Sequence, residues 1–120
     1  MHLTNIAEQA RHNDWFRQVL ATGEHVQVVI MSIPVGGEIG EEIHADNDQV
    51  LYLVEGNGEV VLDGHSSAFS SGDLVLVPAG TKHNFITKDA AMKIITTYSP
   101  PHHPEGTVHK TKADADAAEH

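Results

Sequence analysis

Turn-forming residues punctuate the middle of this chain at short intervals. Pro34-Val35-Gly36-Gly37, Glu55-Gly56-Asn57-Gly58, Asp63-Gly64, Ser70-Ser71-Gly72-Asp73 and Pro78-Ala79-Gly80 follow one another. The segments between them are rich in Val, Ile and Leu, and each is too short for a stable helix. Strand-like runs with turn signals roughly every 8 to 12 residues point to an all-β sandwich or barrel. No alternation of strand and helix patterns is present, so a parallel α/β sheet is not expected. Strands are expected over 16–20, 25–33, 50–54, 59–62, 74–77, 83–87 and 92–98. Gly56-Asn57-Gly58 reads as a hairpin turn, because Gly and Asn tolerate positive φ.

The flanks differ. Residues 2–14 carry weak helical spacing (Ile6, Ala10, Trp15) and read as a short helix or an extended arm. Pro100, Pro101 and Pro104 end the sheet, and the polar, Ala-rich stretch 110–120 reads as a frayed helix or a disordered tail. The expectation is one domain over 1–120, with a barrel core over about 15–100 and a tail over about 101–120.

Composition narrows the partners. With 7 Lys and Arg against 17 Asp and Glu, the formal net charge is -10. Such a surface repels phosphate backbones and anionic lipid, so neither nucleic acid nor membrane is an expected partner. No apolar run of transmembrane length and no secretory signal pattern is visible. Cysteine is absent, which removes disulfides and thiolate metal ligands and fits a cytoplasmic location.

The chemistry concentrates in two spaced patterns. The first is Gly36-x5-Glu42-x-His44-x4-Gln49-x6-Gly56, and the second is Gly72-x5-Pro78-x-Gly80-x2-His83. Glu42 and His44 are two apart, so in an extended segment both point to one face. Gln49 opens the apolar run in phase with Leu51 and Leu53, while Tyr52 points to the other face. An amide aimed into an apolar interior needs a partner, and a cation would satisfy its carbonyl oxygen. A neutral imidazole suits Zn, Fe, Mn or Ni. Asp46 offers a second alignment, with His44-x-Asp46 as the paired donors, although Asp46-Asn47-Asp48 also reads as an exposed turn. His102, His103 and His109 sit in the Pro-rich tail, where a surface or lid segment is the first reading and a second metal site the other.

At these residues the chain resembles the cupin superfamily, whose motifs read G-x5-H-x-H-x(3,4)-E-x6-G and G-x5-P-x-G-x2-H-x3-N. The glycine frame and the spacings match. Glu42 stands at the first His, His44 at the second, Gln49 at the Glu, His83 at the last His and Thr87 at the final Asn. The resemblance covers roughly 31–101. It implies a double-stranded β-helix, or jelly-roll barrel, and a divalent metal ion (Zn, Fe, Mn or Ni) held by Glu42, His44, Gln49 and His83. It also implies a small-molecule ligand. A homodimer is expected, with Trp15 and Phe16 as candidate contacts. Met31, Ile33, Leu51, Leu53 and Phe85 are the expected pocket wall.

Two imidazoles, a carboxylate and an amide leave coordination positions open, as a catalytic site requires. The leading reading is a metal-dependent enzyme of isomerase, lyase or dioxygenase type acting on a small oxygenated metabolite. The alternatives are a non-catalytic sugar or metabolite binder, a structural metal domain, and a phosphomannose-isomerase-like activity. The last uses the same ligand types in another order.

Overall fold

The computed structural model describes residues 1–118. In chain order the elements are α1 (Ile6–His12), β1 (Arg17–Thr22), β2 (Gln27–Ile33), β3 (Asp48–Leu62), β4 (His65–Ser70), β5 (Leu74–Val77), β6 (His83–Ser99), β7 (Val108–His109) and α2 (Lys112–Ala118). The strands hydrogen-bond in the order β4-β3-β6-β2-β1-β7, and β5 pairs with β3. All pairings are antiparallel. This is the all-β jelly-roll class expected, with short helices at the ends.

The organising feature is the pairing of β3 with β6. Residues 48–53 of β3 lie against 94–99 of β6, and residues 58–62 lie against 83–87. Between these halves the register shifts three times, at Leu53/Glu55, Glu55/Asn57 and Asn57/Gly58. The expected hairpin at residues 55–58 is therefore absent, and one bent strand runs through it. The residues expected as two separate strands, 83–87 and 92–98, likewise form the single strand β6. Local turn chemistry is overridden because the glycines serve a close approach. Gly56 has φ +104°, and a Cβ there would stand 2.1 Å from the carbonyl oxygen of Ala91. A Cβ on Gly58 would stand 2.2 Å from the carbonyl oxygen of Ile86. The strands can bend together only where both positions lack a side chain.

The two halves of the bent pair close over one apolar interior. Met31, Ile33, Leu51, Leu53, Phe69, Phe85 and Ile94 are fully buried within it. β2 is buried almost throughout because it is covered twice. Val29, Met31 and Ile33 face the interior. Ile30 faces outward against Ala10 of α1 and Val54. α1 fits that role through Ile6 and Ala10, which are one turn apart on the same face.

The C-terminal segment is ordered, where a disordered tail was one expectation. β7 pairs with β1 through Arg17↔His109 and Gln18↔Val108, and α2 puts Ala115 into the main core. Residues 119 and 120 of the expected tail lie outside the described residues. Phe16 belongs to the same core at 3% exposure, so it is not a surface contact. Trp15 is partly exposed, with the Lys110 ammonium 5.5 Å from its ring centroid. Among the described residues no helix is long and apolar enough to cross a membrane.

The bulge glycines generate a stability prediction. Gly56→Ala and Gly58→Ala each force a methyl group into a facing backbone carbonyl, and each is expected to cost about 2–4 kcal/mol. Gly36→Ala, with φ +80° and open space around its Cβ position, is expected to cost about 1 kcal/mol. Urea denaturation of the three variants checks the ranking.

Candidate functional site

The β3–β6 pair brings both motifs together. Glu42 forms a bridge with His83, each N–H donating to the other's carbonyl at 2.9 Å. The carbonyl of His44 accepts from Gly80 N–H at 2.9 Å. Gln49 is in register with both Val77 of β5 and Tyr98 of β6. The Pro78-Ala79-Gly80 turn is thus laced to the segment carrying Glu42 and His44, and His83 starts the strand that runs beside Gln49.

Glu42, His44 and His83 lie close together, and Gln49 is paired on β3 with Tyr98, whose ring packs against His44. The Oε2 atom of Glu42 is 3.4 Å from Nε2 of His44, and the His44 and His83 ring centroids are 5.2 Å apart. Nδ1 of His83 lies 2.9 Å from the carbonyl of Thr81. That oxygen can only accept, so Nδ1 donates to it, and in the neutral ring Nε2 holds the lone pair. Gln49, 3% exposed, donates from Nε2 to Thr96 Oγ1 at 3.1 Å, and Thr96 donates in turn to the Val50 carbonyl. The Oε1 atom of Gln49 is left buried with no hydrogen-bond partner. An orphaned buried acceptor costs about 1–3 kcal/mol, and a cation placed beside it removes that cost. The residues therefore fit a metal ion in donor type. Among the described residues, no three His, Asp or Glu side chains already stand in a finished ligand array.

Other expected positions fall differently. Asp46 is exposed. Its neighbours are structural: Asn47 donates to the carbonyl of Pro100, and Asp48 accepts from Ala79 N–H. Met31, Ile33, Leu51, Leu53 and Phe85 are packed core. The open space lies elsewhere. A cavity of about 310 Å³ is bordered by Arg17, Ile39, Glu42, Lys112 and Ala115 among others, and one of about 420 Å³ by Glu41, Lys82, His83 and Asn84 among others.

The motifs did not reveal every residue at the site. Tyr98 and His102 both pack against His44, with ring centroids 5.7 Å and 4.5 Å away. Tyr98 ends a run read as a strand, but only its pairing with Gln49 brings it to the site. His102 reaches His44 only when the chain folds back after β6. Buried Gln27 holds that turn, accepting from the N–H groups of His102 and His103 and donating to the carbonyl of His103. Arg17 is the other site neighbour missed. It is 2% exposed, its Nη1 is 3.1 Å from His109 Nδ1, and its Nε reaches no hydrogen-bond partner.

Residues 29–98 match the family model described as a cupin domain. The chain is 42% identical to the uncharacterized protein YrkC of Bacillus subtilis, over 98% of this chain and 67% of that protein. Its fold superposes on the crystal structure of BH2720 from Bacillus halodurans with a TM-score of 0.94, at 41% identity, covering 97% of this chain and 93% of that one. More distant relatives include enzymes. The quercetin 2,3-dioxygenase of Bacillus subtilis is 26% identical over 63% of this chain and 23% of that protein. The structure of KdgF from Halomonas superposes with a TM-score of 0.68 at 27% identity, over 72% of this chain and 78% of that one.

Burial keeps His44 and His103 neutral at ordinary pH. Burial pulls the His44 pKa down to about 4, helped by His102, His83 and Arg17. Burial pulls that of His103 down to about 3, helped by Arg17, His102, His109 and His44. Neutral imidazole is the metal-binding form, so no proton has to leave His44 at neutral pH. The unfolded chain binds a proton at these positions near pH 6.5, and the folded chain does not until pH 4 or 3. Stability is thus present above pH 6.5 and is lost as pH falls through that window. Denaturation of the metal-free protein at pH 7, 6, 5 and 4 is expected to show this decline. His103→Asn is expected to reduce its slope.

Proposed function

This chain belongs to the cupin family, and on that premise we propose that Glu42, His44, Gln49 and His83 hold a divalent metal ion. We propose further that the loaded site is an enzyme acting on a small oxygenated metabolite. The observation that carries this reading is the carbonyl oxygen of Gln49. It is buried and unpartnered on the strand that pairs with Tyr98, whose ring packs against His44, and a cation would satisfy it. The mixed nitrogen and oxygen donor set suits Zn, Fe, Mn or Ni. When bound, such an ion supplies Lewis-acid polarisation of a substrate oxygen.

The chain's own residues have distinct parts. Thr81 fixes the tautomer of His83. Thr96 fixes the orientation of the Gln49 amide. Replacing a carboxylate by this amide leaves the site one unit more positive, which favours an anionic or oxygen-rich ligand. The 310 Å³ cavity reaching Glu42 is of the size that holds a small metabolite. The dioxygenase and KdgF relatives favour catalysis over simple binding.

Elemental analysis tests the ligand set. Wild-type protein is expected to retain one equivalent of metal, and His44→Ala and His83→Ala to lose it with circular dichroism unchanged. Full occupancy in both variants would remove the assignment. Gln49→Met separates stability from binding, since Thr96 keeps its bond to Val50. Its metal-free form is expected to be about 1 kcal/mol more stable than wild type, while its metal affinity falls.

The edge strand β5 supports a proposal about the oligomeric state. Leu74 and Leu76 are 61% and 55% exposed. Leu74 lies in register with Tyr52 on the same outer face. We propose that a second copy covers this apolar edge. Sedimentation should give a dimer for wild type and a monomer for Leu76→Lys; a monomeric wild type at micromolar concentration would refute the pairing.

A further inference from the structure

We infer that His102, which lies outside both glycine-framed motifs, is an additional ligand to the ion held by Glu42, His44, Gln49 and His83. The inference rests on the metal-binding reading above and adds a ligand that neither motif contains.

Ring spacing is the first observation. A nitrogen–metal distance of about 2.0–2.1 Å, with about 1.1 Å more from that nitrogen to the ring centroid, places each centroid roughly 3.2 Å from an ion. Two rings on one ion at angles of about 90–110° then have centroids about 4.5–5.3 Å apart by the same geometry. The His44–His102 spacing is 4.5 Å and the His44–His83 spacing is 5.2 Å. Both fall within that range, so each of these two pairs has a spacing that a shared ion allows.

The second observation is how the turn is built. Gln27 is fully buried. Its Oε1 accepts from the N–H groups of His102 at 3.2 Å and His103 at 3.0 Å, and its Nε2 donates to the His103 carbonyl at 2.7 Å and to Thr22 Oγ1 at 3.0 Å. From the opposite side Asn47, between His44 and Gln49 in sequence, donates to the Pro100 carbonyl. Tyr98 stacks on the His102 ring at 5.5 Å and 21°, which restricts its rotation. Two buried amides and an aromatic ring hold one histidine in place at the site. Supporting contacts of this kind orient ligands, and a surface histidine needs none of them.

The third is donor chemistry. The chain carries Glu42 where an imidazole could stand and a neutral amide at Gln49. His102 gives the site three imidazoles and a carboxylate, and its exposed outer edge leaves a path from solvent to the ion.

Co2+ titration of the metal-free full chain tests this, with visible absorption reporting the coordination and competition giving Kd. His102→Gln, at an exposed position, is expected to keep the fold by circular dichroism. It is expected to weaken Co2+ binding by at least about 100-fold and to change the absorption spectrum. Gln27→Ala is expected to weaken binding while keeping the wild-type spectrum, since it loosens the turn and leaves the ligand. His103→Gln is expected to leave both readouts unchanged. If His102→Gln matches wild type in both readouts while His44→Ala loses Co2+, His102 is not a ligand and the four-residue site stands. Weaker binding with an unchanged spectrum in His102→Gln also overturns the inference, making His102 a supporting residue only. Failure of the wild-type chain to bind Co2+ at micromolar concentration overturns both readings.

Discussion

Antiparallel pairing of β3 with β6 along nearly their whole lengths is the constraint on which the molecule depends. Each strand contributes to both halves of the barrel, and the bend is possible because Gly56 and Gly58 admit the carbonyls of Ala91 and Ile86. The site is a consequence of this pairing. The first residue of β6 is His83, set opposite Glu42. Near its other end β6 carries Thr96 and Tyr98 beside Leu51 and Gln49. One strand pair thus fixes residues from both motifs relative to one another, at the end of the interior that Leu51, Leu53 and Phe85 do not fill.

That placement carries an energetic tension. The interior is dry enough to drive the His44 pKa down to about 4 and to leave one oxygen of Gln49 without a partner. Such features weaken a folded chain by themselves. They become favourable when a cation answers them, because any species that binds only the folded state stabilises it by mass action. Thr96 illustrates how far the arrangement is prepared. Its hydroxyl proton goes to Val50, so it accepts from Gln49 and leaves the amide oxygen without a partner.

The C-terminal segment belongs to the same design. β7 adds a strand beside β1, Ala115 of α2 enters the core, and the turn after β6 sets His102 against His44. Gln27 and Arg17, polar residues buried at the edge of an apolar sheet, make sense in this context. Gln27 binds the returning backbone, and Arg17 meets His109 on the neighbouring strand.

The all-β sandwich or barrel class, the two motif segments and the inward phase of Gln49 with Leu51 and Leu53 were legible without the fold, and the jelly roll followed from the family resemblance. The first three rest on local rules: extended segments alternate with period 2, and Gly and Pro punctuate them. The path of the chain at residues 55–58 was not legible, because a Gly-Asn-Gly sequence suits both a hairpin and a bulge, and only the approach of β6 selects between them. Phe16 offered no sign of being core, and for the tail the helix was one of two readings, since both depend on β7 and α2 docking from far along the chain. His102 was hidden for the same reason. Spacing along a strand reveals which side chains share a face, but a residue carried back by a turn is placed by that turn's hydrogen bonds to Gln27, 75 positions from His102, and to Asn47, 53 positions from Pro100, which are adjacent only in the folded chain.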